Sequence, residues 1–176
     1  MKLVILAAGR GERMGDLTKN IPKSLLQING RSIINYILSA IPSSMNDVII
    51  VVNYLSDAIR DAIGNQFKHM NISYVEQSMT GTAGALWSAK DYLEDESFLV
   101  LNSDDLYDPD SLNEIISFPL SFGLSNSLPP NKNYIDIEVD REGYISGSHK
   151  IMGDLDKPIL LATGAYVLDK SIFSYE

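Results

Sequence analysis

Apolar runs that alternate with amphipathic stretches constrain the fold of this chain most strongly. The segments "KLVIL" (2–6), "DVIIVV" (47–52), "ISYVEQ" (72–77) and "SFLVLNSDD" (97–105) predict buried strands, and helical patterns lie between them. Strands that alternate with helices are typical of βαβ units. We therefore predict an α/β fold with a mixed, mostly parallel sheet that carries helices on both faces.

The segments between these strands contain helix start and stop signals. In "RSIINYILSAIP", Ser32 is the expected N-cap, Pro42 follows the expected end, and one face carries the apolar residues Ile33, Ile34, Ile37, Leu38 and Ile41. The pattern of 55–65 predicts a second helix that is closed by Gly64. The pattern of 82–96 predicts a third helix, with Leu86, Ala89 and Leu93 directed inward.

The pattern of polar and apolar residues changes near residue 118. Polar and apolar residues then alternate among turn residues, which predicts strands or hairpins at the edge of the sheet, and 158–169 returns to a core-type strand. No internal repeat or linker interrupts the 176 residues. This length suits one domain, which we predict to span 1–176.

Composition excludes several classes of partner. A net charge of -9 argues against general binding to nucleic acid or to anionic membranes, because both require a basic face. The apolar start "MKLVILAAG" is too short for a membrane span or a signal peptide and runs directly into "RGER". The absence of Cys excludes disulfides and thiolate metal sites, and we expect a cytoplasmic protein.

The loops that follow the predicted strands are the candidate functional segments. In open α/β sheets, ligands bind beyond the carboxyl ends of the strands. Here "AAGRGER" follows the first strand, "EQSMTGTA" the third and "NSDD" the fourth. Each of these loops is rich in small or polar residues, so we expect them to converge on one site.

The first loop has the composition of a phosphate site. Gly9 and Gly11 permit close backbone approach to a ligand, and the guanidinium of Arg13 can pair with phosphate oxygens. An ordinary strand-to-helix turn with a solvated Arg is an equally good interpretation of these residues alone. Lys23 follows Pro22 and is presented from a stiffened segment, although a Lys taken alone is usually just exposed.

The other two loops suggest a metal and a heterocycle. A carboxylate at a strand end beside a phosphate site is typical of Mg²⁺ ligands, which makes Asp104 the candidate. Asp105 fits an Asp-rich turn that leads into a helix capped by Asp108 or Asp110. The carboxamide of Gln77 suits recognition of a planar base, and the same segment also reads as a helix start with Thr82 as its cap.

Known phosphate-loop fingerprints do not match. The motif G-x-x-x-x-G-K-[ST] is absent. The dinucleotide fingerprint G-x-G-x-x-G fails because Met14 stands where its third glycine belongs, and no acidic residue follows "DVIIVV" to bind a ribose. A dinucleotide-binding oxidoreductase domain is therefore disfavoured.

These motifs together resemble the nucleotidyltransferase family that makes sugar nucleotides. "LAAGRGERMGDLTKNIPKSLL" matches the signature L-A-A/G-G-x-G-x-R-[LM]-x-x-x-T-x-x-x-P-K-x-L at all its fixed positions. "EQSMTGTAGAL" resembles the base-binding segment of the family, and "FLVLNSDDLYD" its metal strand. "DKP" (156–158), followed by "ATGAYVLD", resembles E-K-P followed by G-x-Y-x-[FL]-D. The resemblance implies a three-layer, Rossmann-like fold of the nucleotide-diphospho-sugar transferase type.

The resemblance also implies a role for each matched residue. The nucleotide site would consist of Leu6, Ala8, Gly9, Gly11, Arg13, Lys23, Gln77, Gly81 and Thr82. Within it, Arg13 would bind the outgoing pyrophosphate and Lys23 the α-phosphate. Asp104 would bind Mg²⁺ and complete the catalytic set of Arg13, Lys23 and Asp104. The sugar phosphate would face Asn102, Asp156, Lys157 and Gly164. Arg10 has no such role, and we expect it to be solvated.

The resemblance implies an enzyme that transfers a nucleotidyl group from a nucleoside triphosphate to a sugar 1-phosphate, with Mg²⁺ as cofactor. "PKSLLQING" also resembles cytidylyltransferases for phosphorylated alcohols such as choline phosphate, and a regulatory module that binds nucleotides or sugar nucleotides without turnover is a further alternative. The base, the sugar or alcohol and the oligomeric state stay open, a homo-oligomer included.

Family members usually continue beyond the "GAYVLD" strand and supply a second metal-binding Asp from there. This sequence ends at Glu176. We therefore expect a catalytic domain truncated at its C-terminal end, a short variant with one metal carboxylate, or a chain that no longer catalyses.

Overall fold

The computed structural model describes residues 1–93, 97–152 and 155–175. Its strands are β1 Lys2–Leu6, β2 Gln27–Ile28, β3 Arg31–Ser32, β4 Asp47–Val52, β5 Gln66–Phe67, β6 Met70–Glu76, β7 Phe98–Asn102, β8 Ser121–Ser127, β9 Ile135–Val139, β10 Ile145–Lys150 and β11 Ile159–Leu168. Its α-helices are α1 Ile33–Ala40, α2 Ser56–Ile63, α3 Gly81–Ser88 and α4 Pro109–Ile115. Shorter 3₁₀ turns are formed by Glu12–Thr18, Lys23–Leu25, Lys90–Tyr92 and Lys170–Ser174.

The main sheet has seven strands in the order β5-β6-β4-β1-β7-β11-β8. β1 runs parallel to both β4 and β7, β4 runs parallel to β6, and β5 pairs antiparallel with β6. The prediction of a mixed, mostly parallel sheet in an α/β fold is confirmed. Parallel neighbours bring the carboxyl ends of β1, β4, β6 and β7 to one edge, which is where ligands bind in such sheets.

Burial on both faces explains why the apolar runs have no alternation. Successive side chains of a strand point to opposite faces, and Leu3, Val4 and Ile5 of β1 are all fully buried. On one face, Val4 packs in a cluster with Ile49, Val75, Leu86 and Phe98, so α3 contributes to the same core as the central strands. The sheet is therefore covered on both sides, as parallel sheets generally are.

The helix boundaries agree with the sequence signals in two of three cases. α1 has Ser32 as its N-cap, and its predicted apolar face is buried. α2 ends at Gly64, whose φ of 72° requires a residue that tolerates the left-handed region. The third helix was predicted over 82–96, but α3 ends at Ser88 and a 3₁₀ turn follows, while residues 94–96 lie outside the described ranges.

The cap of the third helix was also predicted wrongly. Thr80 is the N-cap of α3, and Thr82 lies inside its first turn. The inward side chains Leu86, Ala89 and Leu93 are buried as predicted. The acidic turn after β7 leads into α4, where Asp108 is the cap and accepts a hydrogen bond from the Ser111 N–H at 2.9 Å. The capping residue is thus Asp108 rather than Asp110.

The chain divides into two compact units, one of Met1–Ser121 with Tyr166–Glu176 and one of Phe122–Ala165. In the second unit, β9 and β10 form an antiparallel hairpin with a register shift between Ile145 and Gly147. Thr163 Oγ1 donates to the Gly123 carbonyl at 2.9 Å in that unit. That 1–176 behaves as a single domain stays a prediction. In the described ranges, no helix is long and apolar enough to cross a membrane.

Candidate active site

A cleft of about 740 Å³ lies at the carboxyl edge of the sheet in the first unit. The structure brings together there the three strand-end loops that the sequence singled out, from β1, β6 and β7. The predicted site residues among its lining are Leu6, Ala8, Gly9, Gly11, Arg13, Lys23, Gln77, Gly81, Thr82, Asn102 and Asp104. Lining residues that the sequence interpretation did not select include Arg10, Asn53, Ser78, Met79, Thr80 and Ser103.

The remaining predicted residues lie in the second unit. Asp156 and Lys157 are exposed in the segment before β11, and Gly164 is buried within β11 with a φ of 72°. The structure does not place these residues in the lining of the cleft.

The loop after β1 is shaped by glycine and by one buried threonine. Gly11 has a φ of 67°, and a Cβ at this position would lie 3.0 Å from Thr18 Cγ2 and 3.4 Å from Lys23 Cβ. The Thr18 hydroxyl donates to the Gly11 carbonyl at 3.0 Å, and Thr18 is only 3% exposed. Gly11 therefore allows this loop to pack directly against the segment that carries Lys23. Thr18 matches a fixed position of the family signature, and that was the signal for its structural role.

The two arginines of this loop differ in their surroundings. Arg13 is exposed and lines the cleft. Arg10 is also exposed, but its guanidinium lies 5.5 Å from the centroid of the Tyr54 ring, within the range of a cation–π contact. The Tyr54 hydroxyl in turn donates to the Lys19 carbonyl at 2.5 Å. Arg10 was expected to be merely solvated, whereas it contacts an aromatic ring at the rim of the cleft.

Lys23 and Asp104 form an ion pair within the cleft. Lys23 begins a 3₁₀ turn directly after Pro22, whose φ of -55° and ψ of 141° prevent the preceding chain from continuing as helix. The side chains of Lys23 and Asp104 are 28% and 36% exposed, so solvent screens the pair. The two groups that the sequence assigned to the α-phosphate and to the metal thus contact each other.

Asp105 is half-buried beside this pair. Its Oδ2 accepts a hydrogen bond from Asn102 Nδ2 at 3.4 Å. Burial raises the pKa of Asp105, and the negative charge of Asp104 raises it further, against smaller opposing effects of the Asn102 hydrogen bond and of Lys23. Asp105 thus lies in the acidic turn between β7 and α4, as predicted, with its carboxylate close enough to that of Asp104 to be affected by its charge.

Two tyrosines surround the same carboxylate. The Tyr107 hydroxyl donates to the Asn102 carbonyl at 3.1 Å. Burial raises the pKa of both Tyr107 and Tyr166, and the nearby charge of Asp105 adds to the effect in each case. Both phenols therefore stay protonated at neutral pH and can act as hydrogen-bond donors. Neither tyrosine could be placed near the strand-end carboxylates from the sequence alone.

The loop after β6 is held by hydrogen bonds to its own backbone. Gln77 Nε2 donates to the carbonyls of Met79 at 2.5 Å and of Gly81 at 2.9 Å. Both neighbours are acceptors, so the amide must present its NH₂ group to them and leaves its carbonyl oxygen for other partners. Gly84 lies directly below, because a Cβ there would approach the Met79 carbonyl oxygen to 2.4 Å. The carboxamide thus has a structural function in addition to its position in the cleft.

The residues present fit a magnesium site of the kind that also uses substrate oxygens. The described residues contain no cluster of three or more His, Cys, Asp or Glu side chains that could hold a metal ion. Mg²⁺ is usually bound by one or two carboxylates together with phosphate oxygens and water. Asp104, which is exposed to the cleft, supplies a carboxylate of this kind.

Comparison with known proteins gives the family. A sequence model of the family described as "Nucleotidyl transferase" matches residues 2–119. The bifunctional protein GlmU of Methanocaldococcus jannaschii is 32% identical over 174 residues, which are 98% of this chain and 41% of that protein. The N-acetylmuramate alpha-1-phosphate uridylyltransferase of Neisseria meningitidis is 37% identical over 133 residues, covering 73% of this chain and 54% of that protein.

The fold has close relatives among solved structures. The crystal structure of UDP-glucose pyrophosphorylase complexed with UDP-glucose matches with a TM-score of 0.82 at 22% identity, over 98% of this chain and 77% of that one. This likeness supports the predicted Rossmann-like architecture. The chain spans 41% of the length of the GlmU relative. The family match over residues 2–119 includes all the described residues that line the cleft. The family resemblance is confirmed, and the chain belongs to the nucleotidyl transferase family.

Proposed function

We propose that the chain transfers a nucleotidyl group from a nucleoside triphosphate to a sugar 1-phosphate, which yields a nucleoside diphosphate sugar and pyrophosphate. One observation carries the proposal: a single cleft contains the glycine loop with Arg13, the Lys23–Asp104 pair and the loop of Gln77. Membership of the family supports it, as does the relative named as a uridylyltransferase for a sugar 1-phosphate.

The phosphates would bind to the side of the cleft formed by the loop after β1. Gly9 leaves open space where a side chain would begin, so phosphate oxygens can approach the backbone there. Arg13 would hold the pyrophosphate portion and Lys23 the α-phosphate. Lys23 must separate from Asp104 in order to do so. Both side chains are partly exposed, so this separation requires little free energy.

We propose Mg²⁺ as cofactor, with Asp104 as its protein ligand. When bound, the ion supplies positive charge that offsets the negative charge of the phosphates. Separation of the Lys23–Asp104 pair would provide a free carboxylate for the metal and a free ammonium group for the phosphate.

The base would lie against the loop after β6. The carbonyl oxygen of Gln77 is the part of the amide that its own loop does not use, so it can accept a hydrogen bond from the base. Gly81 and Thr82 at the start of α3, with Leu6 and Ala8 from β1 and its loop, would complete the nucleotide site. Recognition of the sugar phosphate is proposed for Asn102, Asp156, Lys157 and Gly164.

The reaction needs positioning rather than covalent catalysis by the protein. An oxygen of the sugar phosphate attacks the α-phosphorus and forms a new P–O bond. The bond from the α-phosphorus to the bridging oxygen breaks, and pyrophosphate leaves with that electron pair. Two anions must approach each other, so Arg13 and Lys23 would contribute by neutralising charge and fixing the in-line geometry.

The test is pyrophosphate release over a matrix of the common nucleoside triphosphates against phosphorylated sugars and alcohols, with Mg²⁺ present. We expect turnover with a sugar 1-phosphate, and the active pair identifies the base and the acceptor. Turnover only with a phosphorylated alcohol would favour a cytidylyltransferase-type enzyme. Nucleotide binding without turnover would favour a regulatory binding module. The absence of both binding and turnover would contradict the proposal.

A further inference from the structure

Ser88 lies at the end of α3, outside the lining of the cleft, and bonds to the loop after β6. Its Oγ accepts a hydrogen bond from the Ser78 N–H at 2.9 Å and lies 3.1 Å from Ser78 Oγ. It also donates to the Gly84 carbonyl at 2.8 Å. One side chain of the helix therefore contacts both the backbone and the side chain of a residue that lines the cleft.

The chemistry of a hydroxyl assigns the direction of these bonds. A serine hydroxyl has one hydrogen and two acceptor positions. Since the hydrogen of Ser88 points to the Gly84 carbonyl, the Ser78 hydroxyl must be the donor in the contact between the two serines. Ser88 then uses its full hydrogen-bonding capacity, and two of its three bonds hold Ser78.

The rest of the loop is fixed independently. Gln77 Nε2 bonds to the carbonyls of Met79 and Gly81, and the missing side chain of Gly84 lets the Met79 backbone rest on α3. Ser88 fixes the entrance of this loop, where no other hydrogen bond of Ser78 to α3 is present among the described residues. The backbone N–H of Gln77 donates to the Val52 carbonyl at 2.8 Å, so without Ser88 only residue 78 would lose its bonds to α3 and gain freedom to move.

We propose that Ser88 is a positioning residue for nucleotide binding, which acts through Ser78 and the loop 77–81 and does not touch the substrate. This inference rests on the proposed function, in which that loop receives the base. A preformed loop avoids an ordering cost when the ligand binds. The base lies away from the bonds that form and break, so its contacts stabilise the ground state and the transition state equally. Weaker contacts to the base therefore raise KM and leave kcat unchanged.

The experiment compares Ser88→Ala with wild type in steady-state kinetics and in amide hydrogen exchange of Ser78. We expect the KM for the nucleotide to rise roughly five- to tenfold, as the loss of one or two hydrogen bonds produces, with kcat within about twofold of wild type. Exchange of the Ser78 amide should accelerate in the variant without any nucleotide. Ser88→Thr keeps the hydroxyl and should restore most of the wild-type KM.

Ser117→Ala is the matched control. The Ser117 hydroxyl donates to the carbonyl of Glu114 at 2.6 Å, just after α4, and Ser117 does not line the cleft. It should leave KM unchanged. If the wild type is active, any of three results would overturn the inference. These are an unchanged KM in Ser88→Ala, a loss confined to kcat, and a Ser88→Thr variant that is as impaired as Ser88→Ala. A wild type that neither binds nor turns over UTP, CTP, ATP or GTP would overturn the proposed function, and with it the role of Ser88.

Discussion

The two walls of the cleft are built in opposite ways. In the wall formed by the loop after β1 and the end of β7, glycine and proline set the backbone, and the charged side chains of Arg13, Lys23 and Asp104 extend into the cleft. In the wall formed by the loop after β6, the polar side chains of Gln77 and Ser78 are engaged with the loop itself and with α3.

This difference indicates a division of labour. The charges of the first wall are paired with each other or exposed, so they are available to act on phosphate groups. The second wall is fixed in advance and offers little charge, which suits the binding of a neutral heterocycle. We therefore expect substitutions in the charged wall to lower kcat and substitutions in the hydrogen-bonded wall to raise KM.

The largest effect is expected for Lys23→Ala. Removal of one preorganised electrostatic stabiliser lowers kcat by about 10²–10³, or roughly 3–4 kcal/mol of barrier. The Lys23–Asp104 pair is partly exposed, so the free energy of unfolding should change by no more than about 1 kcal/mol. Pyrophosphate release and urea denaturation measure the two quantities.

Lys19→Ala is the control for this variant, because it removes the same charge from an exposed residue that does not line the cleft. It should retain wild-type kcat. A Lys23→Ala enzyme with near-normal kcat would contradict both the proposed function and the assignment of the charged wall.

The second effect, on the opposite wall, is expected for Gly84→Ala. The new Cβ would lie 2.4 Å from the Met79 carbonyl oxygen and 2.6 Å from its carbon, both backbone atoms, so the loop or the helix must shift. Overpacking of this kind costs about 1–3 kcal/mol of unfolding free energy. We expect a KM increase of about tenfold or more with a smaller change in kcat.

Ala83→Ser is the matched control, since it adds one heavy atom at an exposed position of the same helix. It should affect neither KM nor stability appreciably. A Gly84→Ala variant that loses kcat while its KM stays constant would break the division between the walls.

The sequence was sufficient for β1, β4, β6, β7 and β11 of the main sheet and for the meeting of the three loops. A continuous apolar run such as 47–52 is typical of a strand buried on both faces, and the carboxyl ends of parallel strands lie at one edge of the sheet. The two-residue strands β2, β3 and β5 were not predicted, because a segment that short has no periodicity to detect.

The contacts between the loops could not be predicted from the sequence. Lys23 and Asp104 are 81 positions apart, and each was assigned to a ligand without any indication that they pair with each other. Nothing in the sequence indicates that the missing side chain of Gly84 accommodates the Met79 backbone. A single helical serine such as Ser88 carries no sequence signal at all, because its importance depends on which loop lies opposite.

A third, smaller effect concerns the segment that presents Lys23. Ser24 is 2% exposed, and among the described residues its Oγ has no hydrogen-bond partner. A buried hydroxyl without a partner retains its desolvation cost. Ser24→Ala should therefore raise the free energy of unfolding by about 1 kcal/mol, as measured by urea denaturation.

Thr18→Val provides the contrast, because the Thr18 hydroxyl is buried but bonded to the Gly11 carbonyl. Its loss should destabilise the protein by about 1 kcal/mol. If Ser24→Ala destabilised the protein to the same extent, the Ser24 hydroxyl would have a hydrogen-bond partner, and the segment that presents Lys23 would be held by a side-chain hydrogen bond, as the Gly11 loop already is.

The smallest effect is a dependence on pH at the acidic end of the charged wall. Burial and the charge of Asp104 raise the pKa of Asp105 above its ordinary value of 3.8. Between that value and the raised one, the folded state keeps a proton that the unfolded state has lost, so the free energy of unfolding falls as pH rises through this window. Asp105→Asn, which can still accept the Asn102 hydrogen bond, should lack this fall.

The stability difference between Asp105→Asn and wild type should therefore be small near about pH 3 and favour the variant near about pH 7, in denaturation experiments without divalent metal. Asp110→Asn removes an acidic group from the exposed first turn of α4 and serves as the charge-matched control. A difference that shrinks as pH rises would mean that Asp105 is stabilised as an anion. The charged wall would then contain a second carboxylate held ionised beside Asp104, and Lys23 would be shared between them rather than paired with one.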